Sequence, residues 1–243
     1  MSFFTRVRNI FSPCAEQKKS VSGLVKDLEY AEKYEKSLAE WMLYHQEEII
    51  FDKVHWMGVP ILKNVMDLWI YQELLFKIKP DFIIEIGSYL GGSALFFAHL
   101  CESMGKGEVL SVDVVHDRCK VEHPRIRKIT GSSQDPGVIT QVIEACGDGR
   151  VFIIQDGNHH EEHVLADLRA YADIVSKGSY FVVEDGIVDV FAKGTNIYDA
   201  LSAPGPLGAT RKFIEEDSRF IVDTDCERYL LTYNPKGFLK RVS

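Results

Sequence analysis

The chain has 243 residues, enough for one large domain with a full core. Apolar residues make up 46% and charged residues 26%, an ordinary globular balance without the bias that marks disorder. Lys and Arg number 28 against 36 Asp and Glu, a formal charge of −8, which argues against a sequence-independent grip on nucleic acid because such a grip needs clustered cations.

The five cysteines, Cys14, Cys101, Cys119, Cys146 and Cys226, are odd in number, widely spread and without a C-x-x-C pair. Reduced thiols in a cytosolic protein are the expectation, so the cytoplasm is the expected location. The start, Met1 to Arg8, lacks a long apolar segment or a small-residue cleavage site, and no run approaches membrane-spanning length. A frayed terminus or a short basic tip touching a membrane or partner are its two readings.

Residues 24–50 are rich in Glu, Lys, Leu and Tyr, lack Gly and Pro, and predict one long or two short helices. Tyr30, Tyr34, Trp41 and Tyr44 lie there, compatible with a homo-oligomer or with packing onto a sheet. Trp56-Met57-Gly58-Val59-Pro60 breaks the pattern. Asp67 to Lys77 resumes helical spacing with Leu68, Tyr71, Leu74 and Leu75 on one face, and Pro80 stops it. Residues 1–79 are thus expected to form a helical extension or lid, and residues 80–243 the main domain.

Beyond Pro80, short apolar runs alternate with helical stretches. Strands are expected at Phe82–Ile86, Val109–Asp113, Ile126–Thr130, Val151–Ile154 and Tyr180–Val183, and helices at Gly92–Met104, Pro136–Cys146 and Glu161–Ser176. Continuous apolar strands separated by helices imply an α/β fold with a doubly wound, mostly parallel sheet of about seven strands. The tail offers two further strands, Phe220–Asp223 and Tyr229–Tyr233, with no clear helix between them, which suggests an antiparallel hairpin at the sheet edge. The Gly- and Pro-containing segment 186–208 and Trp56 with Met57 are lid candidates; Trp56, Phe191 and Tyr198 can stack on a ring or pack in the core.

Ligands of such sheets sit at the carboxyl ends of the strands. The first strand runs into Glu85-Ile86-Gly87-Ser88-Tyr89-Leu90-Gly91-Gly92-Ser93, a turn where glycines let backbone approach a ligand. A dinucleotide fingerprint would place glycine where Tyr89 stands, so the loop suits an amino-acid moiety better than a pyrophosphate; a tight turn without a ligand is the plainer alternative. Asp113 ends the second strand and can accept from ribose hydroxyls or serve a turn. The loop Gly131-Ser132-Ser133-Gln134-Asp135 suits an adenine edge, or Ser133 or Asp135 caps the helix at Pro136.

The fourth strand ends in Asp156-Gly157-Asn158-His159 and the fifth in Glu184-Asp185-Gly186. Adjacent parallel strands bring Asp156, Glu184 and Asp185 together, and such a cluster repels itself unless cations or protons intervene. Hard oxygen ligands favour Mg²⁺, with Ca²⁺ or Mn²⁺ as substitutes; two independent solvated turns are the alternative. His159 is placed to take a proton near neutral pH, although a helix start with Asn158 and Glu161 as capping box also explains the segment. His159 and His163 have zinc spacing without zinc context, and His160 and Glu162 belong to a solvated face.

The stretch from Trp56 to about Arg241 resembles the cephalosporin hydroxylase-like family, which includes rhamnosyl O-methyltransferase-like proteins. The resemblance is carried by Trp56-Met57-Gly58-Val59-Pro60, Asp67-Leu68-Trp69-Ile70-Tyr71-Gln72-Glu73, Gly91-Gly92-Ser93-Ala94-Leu95, Asp156-Gly157-Asn158-His159 with His163, Val183-Glu184-Asp185 and Pro235-Lys236-Gly237-Phe238-Leu239-Lys240-Arg241. The central part is similar to catechol O-methyltransferase in its loops at Glu85 to Ser93 and Gly131 to Asp135. The resemblance implies a class I, Rossmann-like methyltransferase. S-adenosylmethionine would be held by Glu85, Gly87, Ser88, Tyr89, Ser93, Asp113, Ser133, Gln134 and Asp156. Mg²⁺ would be held by Asp156, Glu184 and Asp185, and His159 stands where that similar enzyme has a lysine base.

The expected activity is that of an S-adenosylmethionine- and Mg²⁺-dependent O-methyltransferase acting on a hydroxyl of a sugar or small natural product, with no nucleic acid and no stable membrane insertion. A nucleotide-dependent oxidoreductase or hydroxylase, and a non-catalytic cofactor-binding partner protein, are the competing readings; no flavin motif or two-His-one-carboxylate iron site supports the former.

Overall fold

The computed structural model describes Val25, residues 28–191 and residues 204–243. The tip Met1 to Arg8, Cys14, Tyr198 and the centre of the lid candidate 186–208 lie outside the described residues. The chain divides into Met1–Trp41 and Met42–Ser243. Two short helices, α1 (Leu28–Lys33) and α2 (Leu38–Glu48), take up the N-terminal stretch. The division falls well before 79/80, because residues 42–79 are packed into the same unit as the sheet.

In that unit a two-residue hairpin, β1 (His55–Trp56) and β2 (Val59–Pro60), turns through Met57 and Gly58, both at positive φ. Helix α3 (Val65–Ile78) starts at Asn64, whose side chain accepts from Met66 N–H at 3.0 Å, and stops at Lys79 in the left-handed conformation before Pro80. Its Tyr71 meets Phe97, Phe152 and Phe238 at ring-centroid distances of 5.4, 6.4 and 6.0 Å, which fixes the helix on one face of the sheet.

Strands β3 (Phe82–Ile86), β4 (Glu108–Asp113), β5 (Ile126–Thr130), β6 (Val151–Gln155) and β7 (Tyr180–Val183) alternate with helices α4 (Gly92–Ser103), α5 (Pro136–Cys146) and α6 (Glu161–Tyr171). Helix α7 (Pro206–Glu216) leads to β8 (Phe220–Val222), and β9 (Phe238–Arg241) closes the sheet. The order is β5-β4-β3-β6-β7-β9-β8, parallel except for β9, which lies antiparallel between β7 and β8. This is the doubly wound, mostly parallel sheet that the strand and helix pattern predicts, and it agrees with the architecture the family resemblance implies. Alternation along β3 sends Ile84 and Ile86 to the core shared with α5, α6 and α7, and Ile83 and Glu85 to the opposite face.

Two details of the tail differ from expectation. Residues 229–233 form no strand: Thr232 donates to Asp67 Oδ1 at 2.6 Å and Tyr233 N–H to Asp67 Oδ2 at 2.8 Å, so this backbone is claimed by a helix side chain rather than by the sheet. Strand pairing begins only after Pro235, at Phe238. Helix α7 begins at the end of the lid candidate 186–208 and runs on to Glu216, where the sequence assigns no element, with Leu207, Thr210 and Phe213 buried on one face and Pro206 at its first turn. The four described cysteines are buried free thiols, and no described helix is long and apolar enough to cross a membrane.

Candidate active site

The sheet ladder sets the site. Ile86, Gln155 and Val183 lie in register on β3, β6 and β7, and the ladder continues one step further: Asp156 N–H bonds Ile86 O at 2.8 Å and Glu184 N–H bonds Gln155 O at 3.0 Å. Gly87, Asp156 and Glu184 therefore emerge on one rung. Gly87 is at φ +90°, and a Cβ there would lie 2.2 Å from Asp156 O. Glycine is required by the conformation and by the proximity of the next strand.

A cavity of about 440 Å³ opens at these ends. Its walls include Gly87, Ser88, Tyr89, Ser93, Asp113, Ser133, Gln134 and Asp156, eight of the nine residues expected to hold a cofactor. The ninth, Glu85, is fully buried beneath the loop and is not on the wall. Asp113 organises the loop: its Oδ2 accepts from Ser88 N–H at 2.8 Å and Tyr89 N–H at 3.2 Å. Oδ1 takes only a long bond from Val115 N–H, at 3.3 Å, and keeps capacity for a ligand hydroxyl.

At the far end, Asp135 caps α5 through Gly137 and Val138 N–H. Ser133 instead donates to Asp167 at 2.7 Å, and Gln134 leans on His163, whose carbonyl it donates to at 3.2 Å. The alternative reading, a capping box at Asn158 and Glu161, is not realised. His160 is the N-cap, Asn158 accepts from His160 N–H, and Glu161 pairs with Lys212 on α7. His163 thus faces the cavity near Gln134, His160 and Glu162 are exposed, and Trp56 packs edge-on to Phe96 and donates to His99.

Beyond Asp156 lies the acidic cluster, and it contains a cation that sequence spacing does not place there. Lys63 Nζ is 2.7 Å from Asp156 Oδ2 and 2.7 Å from Glu184 Oε1, and Tyr71 O–H donates to the same Glu184 oxygen at 2.5 Å. The Lys63 side chain is 2% exposed and Glu184 5%, whereas Asp156, Asp185 and His159 are 21%, 13% and 18% exposed. Burial alone would lower the Lys63 pKa, but the carboxylates of Asp156, Glu184 and Glu85 hold it above the ordinary lysine value. Burial raises the carboxyls of Asp156 and Asp185, and drives Glu184 up to about 7, with Lys63 opposing the rise in each.

Asp185 sits at φ 57°, a conformation disfavoured for a residue with a Cβ, and is held there by Asn234 Oδ1 accepting its N–H at 3.1 Å. Its carboxylate is 3.4 Å from His159 Nε2. Asp156, His159 and Asp185 offer ligand atoms all within 4.8 Å of one another. The expected triad thus comes together in part: Asp156 lines the cavity and lies near Asp185 and His159, while Glu184 is occupied by Lys63 and Tyr71. Another such group among the described residues, His99, Glu102 and His123, fits a metal poorly. His99 Nδ1 accepts from Trp56 and His123 Nδ1 from Arg125 N–H, which leaves each Nε2 carrying a proton.

The sequence model of the rhamnosyl O-methyltransferase/CmcI family matches residues 48–242. The chain belongs to this family. It is 32% identical over 213 residues to the rhamnosyl O-methyltransferase of Mycobacterium bovis (strain BCG / Pasteur 1173P2), covering 83% of this chain and 84% of that protein. To the rhamnosyl O-methyltransferase of Mycobacterium leprae (strain TN) it is 34% identical over 187 residues, 74% of this chain and 76% of the other. Among solved structures, CmcI with Mg and SAM superposes with a TM-score of 0.62 at 19% identity, covering 100% of this chain and 97% of that one, a likeness of fold. Family and fold together make the protein an S-adenosylmethionine-dependent O-methyltransferase.

Lys63 and Tyr71 are site residues that sequence reasoning misses. The signal was present in Asp67 and Tyr71, polar groups four residues apart on an otherwise apolar helix face with Lys63 just ahead of its cap.

Proposed function

We propose that the protein methylates a hydroxyl of a sugar or small natural product, with a divalent cation, Mg²⁺ by its ligand chemistry, at Asp156 and Asp185. One observation carries this reading: Asp156 is both a wall of the cavity and a member of the Asp156–His159–Asp185 group. Two clustered carboxylates, the half-buried Asp156 and the buried Asp185 at its strained backbone position, suit a hard cation. The relatives' name, rhamnosyl O-methyltransferase, supports a sugar hydroxyl as acceptor.

S-adenosylmethionine in the cavity would supply an electrophilic methyl group, and a cation held by Asp156 and Asp185 would supply Lewis acidity at the acceptor oxygen. The rest falls to this chain. Asp113 accepts from the ribose, the loop at Gly87 to Tyr89 admits the amino-acid end at short range, and Ser133 and Gln134 border the base. His159 takes the acceptor's proton, and Asp185, 3.4 Å away, stabilises the imidazolium that results. Asp156, beside the cavity, fixes the distance between the acceptor and the methyl donor, so that transfer becomes chiefly a matter of alignment.

Radiolabelled methyl transfer to a panel of rhamnosides, run with Mg²⁺ and with excess EDTA, tests the reading. Turnover should require the cation while S-adenosylhomocysteine binding survives chelation. Undiminished turnover in EDTA would refute the metal role, and no transfer to any glycoside would refute the acceptor class.

A further inference from the structure

A divalent cation at Asp156 and Asp185 and an ammonium bridging Asp156 and Glu184 compete for the same Asp156 carboxylate. Lys63 Nζ lies at hydrogen-bond distance from both Asp156 and Glu184, and a dication at either oxygen would sit within a few ångströms of it, where like charges repel strongly. Glu184 Oε1 is further occupied by Tyr71. A lysine this deeply buried is costly to maintain unless its charge compensates others, and here it compensates the group expected to receive the ion.

Glu85 is the second unusual group. It is 0% exposed, and its carboxylate oxygens have no partner of good hydrogen-bond geometry, the Ser93 hydroxyl alone favouring the charged form in that way. Buried polar groups are rarely left so, and each exception calls for an explanation. Glu85 pairs in register with Ile154, two residues before Asp156 and hence about 7 Å deeper along the sheet. Alternation along the paired strands puts Glu85 on the same face of the sheet as Asp156 and Glu184. A four-carbon stem lets an ammonium move over such a distance without backbone change.

We infer that Lys63 is a built-in counter-ion. It bridges Asp156 and Glu184 while no divalent ion is bound, and swings to Glu85 when one loads, freeing Glu184 to face the ion. Lys63 is on this account a positioning residue that sets metal affinity. The inference rests on the proposed metal site at Asp156 and Asp185.

Manganese binding to the full-length protein tests it, read by calorimetry and by the signal of free Mn²⁺ in electron paramagnetic resonance, without any acceptor. Lys63→Met should bind Mn²⁺ about tenfold tighter or more, since the competitor is gone, and its melting temperature should rise further on adding Mn²⁺ than that of the wild type. Glu85→Gln, nearly isosteric, should bind several-fold more weakly, because Lys63 loses the place to which it withdraws. The Gln variant keeps the test decisive if Lys63→Met fails to fold without metal. Equal affinities in wild type and Glu85→Gln, or unchanged or weaker binding by Lys63→Met, would overturn the counter-ion role alone. No Mn²⁺ binding by wild type and both variants would overturn the metal reading and the inference with it.

Discussion

Gly87→Ala probes the contact that joins the cofactor loop to the acidic cluster. Alanine at φ +90° carries a conformational cost of about 1–2 kcal/mol. Its methyl would also lie 2.2 Å from Asp156 O, 2.6 Å from Asp156 C and 2.7 Å from Gly157 Cα, all backbone atoms that cannot rotate away. Relieving such overlap by shifting a strand end costs a further ~1–3 kcal/mol. The sum, about 2–5 kcal/mol, is a large part of the roughly 5–15 kcal/mol that holds a domain together. Urea unfolding should show that loss with an unchanged slope. Because the displaced backbone is that of Asp156, S-adenosylhomocysteine affinity, read by calorimetry on the folded fraction, should fall together with stability. A variant within about 0.5 kcal/mol of wild type (roughly the scatter of neutral surface changes), with unaltered affinity, would refute the reasoning.

Three further outcomes rest on the same geometry. Tyr71→Phe removes a donor from a buried carboxylate while keeping the ring contacts, so about 2 kcal/mol should be lost, or about 4–8 °C in melting temperature; an unchanged melting curve counts against the bond. Asp113→Ala releases the amides of Ser88 and Tyr89 and should weaken S-adenosylhomocysteine binding about tenfold or more, and equal binding would remove Asp113 from the site. Glu85 is raised by burial from 4.5 to about 8. The unfolded carboxyl ionises first, so this group costs stability increasingly as pH climbs from about 4.5 to 8 and by a constant amount above that. The ceiling, 3.5 pH units at ~1.36 kcal/mol each, is about 5 kcal/mol. Glu85→Gln should gain on wild type between pH 5 and 8 in urea unfolding, and parallel curves would contradict this.

Local signals made most of the fold legible. Helix Pro136–Cys146 lies where Asp135, Pro136 and Gly147 announce it, because its start and stop are chemical events within a few residues. The buried parallel strands are short, mostly apolar runs that stand out from the helical stretches between them. Helix Pro206–Glu216 was hidden by Gly205 and Gly208, and the last strand by Tyr229 to Tyr233, whose β-rich composition lost to hydrogen bonding with Asp67. In the site, the wall residues follow from strand ends, which any doubly wound sheet brings together. Lys63 does not, since it meets Asp156 and Glu184 across 93 and 121 residues of chain and no local pattern encodes that meeting.

The most direct test of the account is a crystal structure with S-adenosylhomocysteine and Mn²⁺, with the ion located by its anomalous signal. The account predicts nucleoside between Asp113 and Gln134, and one manganese peak bonded to both Asp156 and Asp185 on the acceptor side. Nucleoside elsewhere, or a manganese peak at His99 and His123 with none at Asp156, would contradict it.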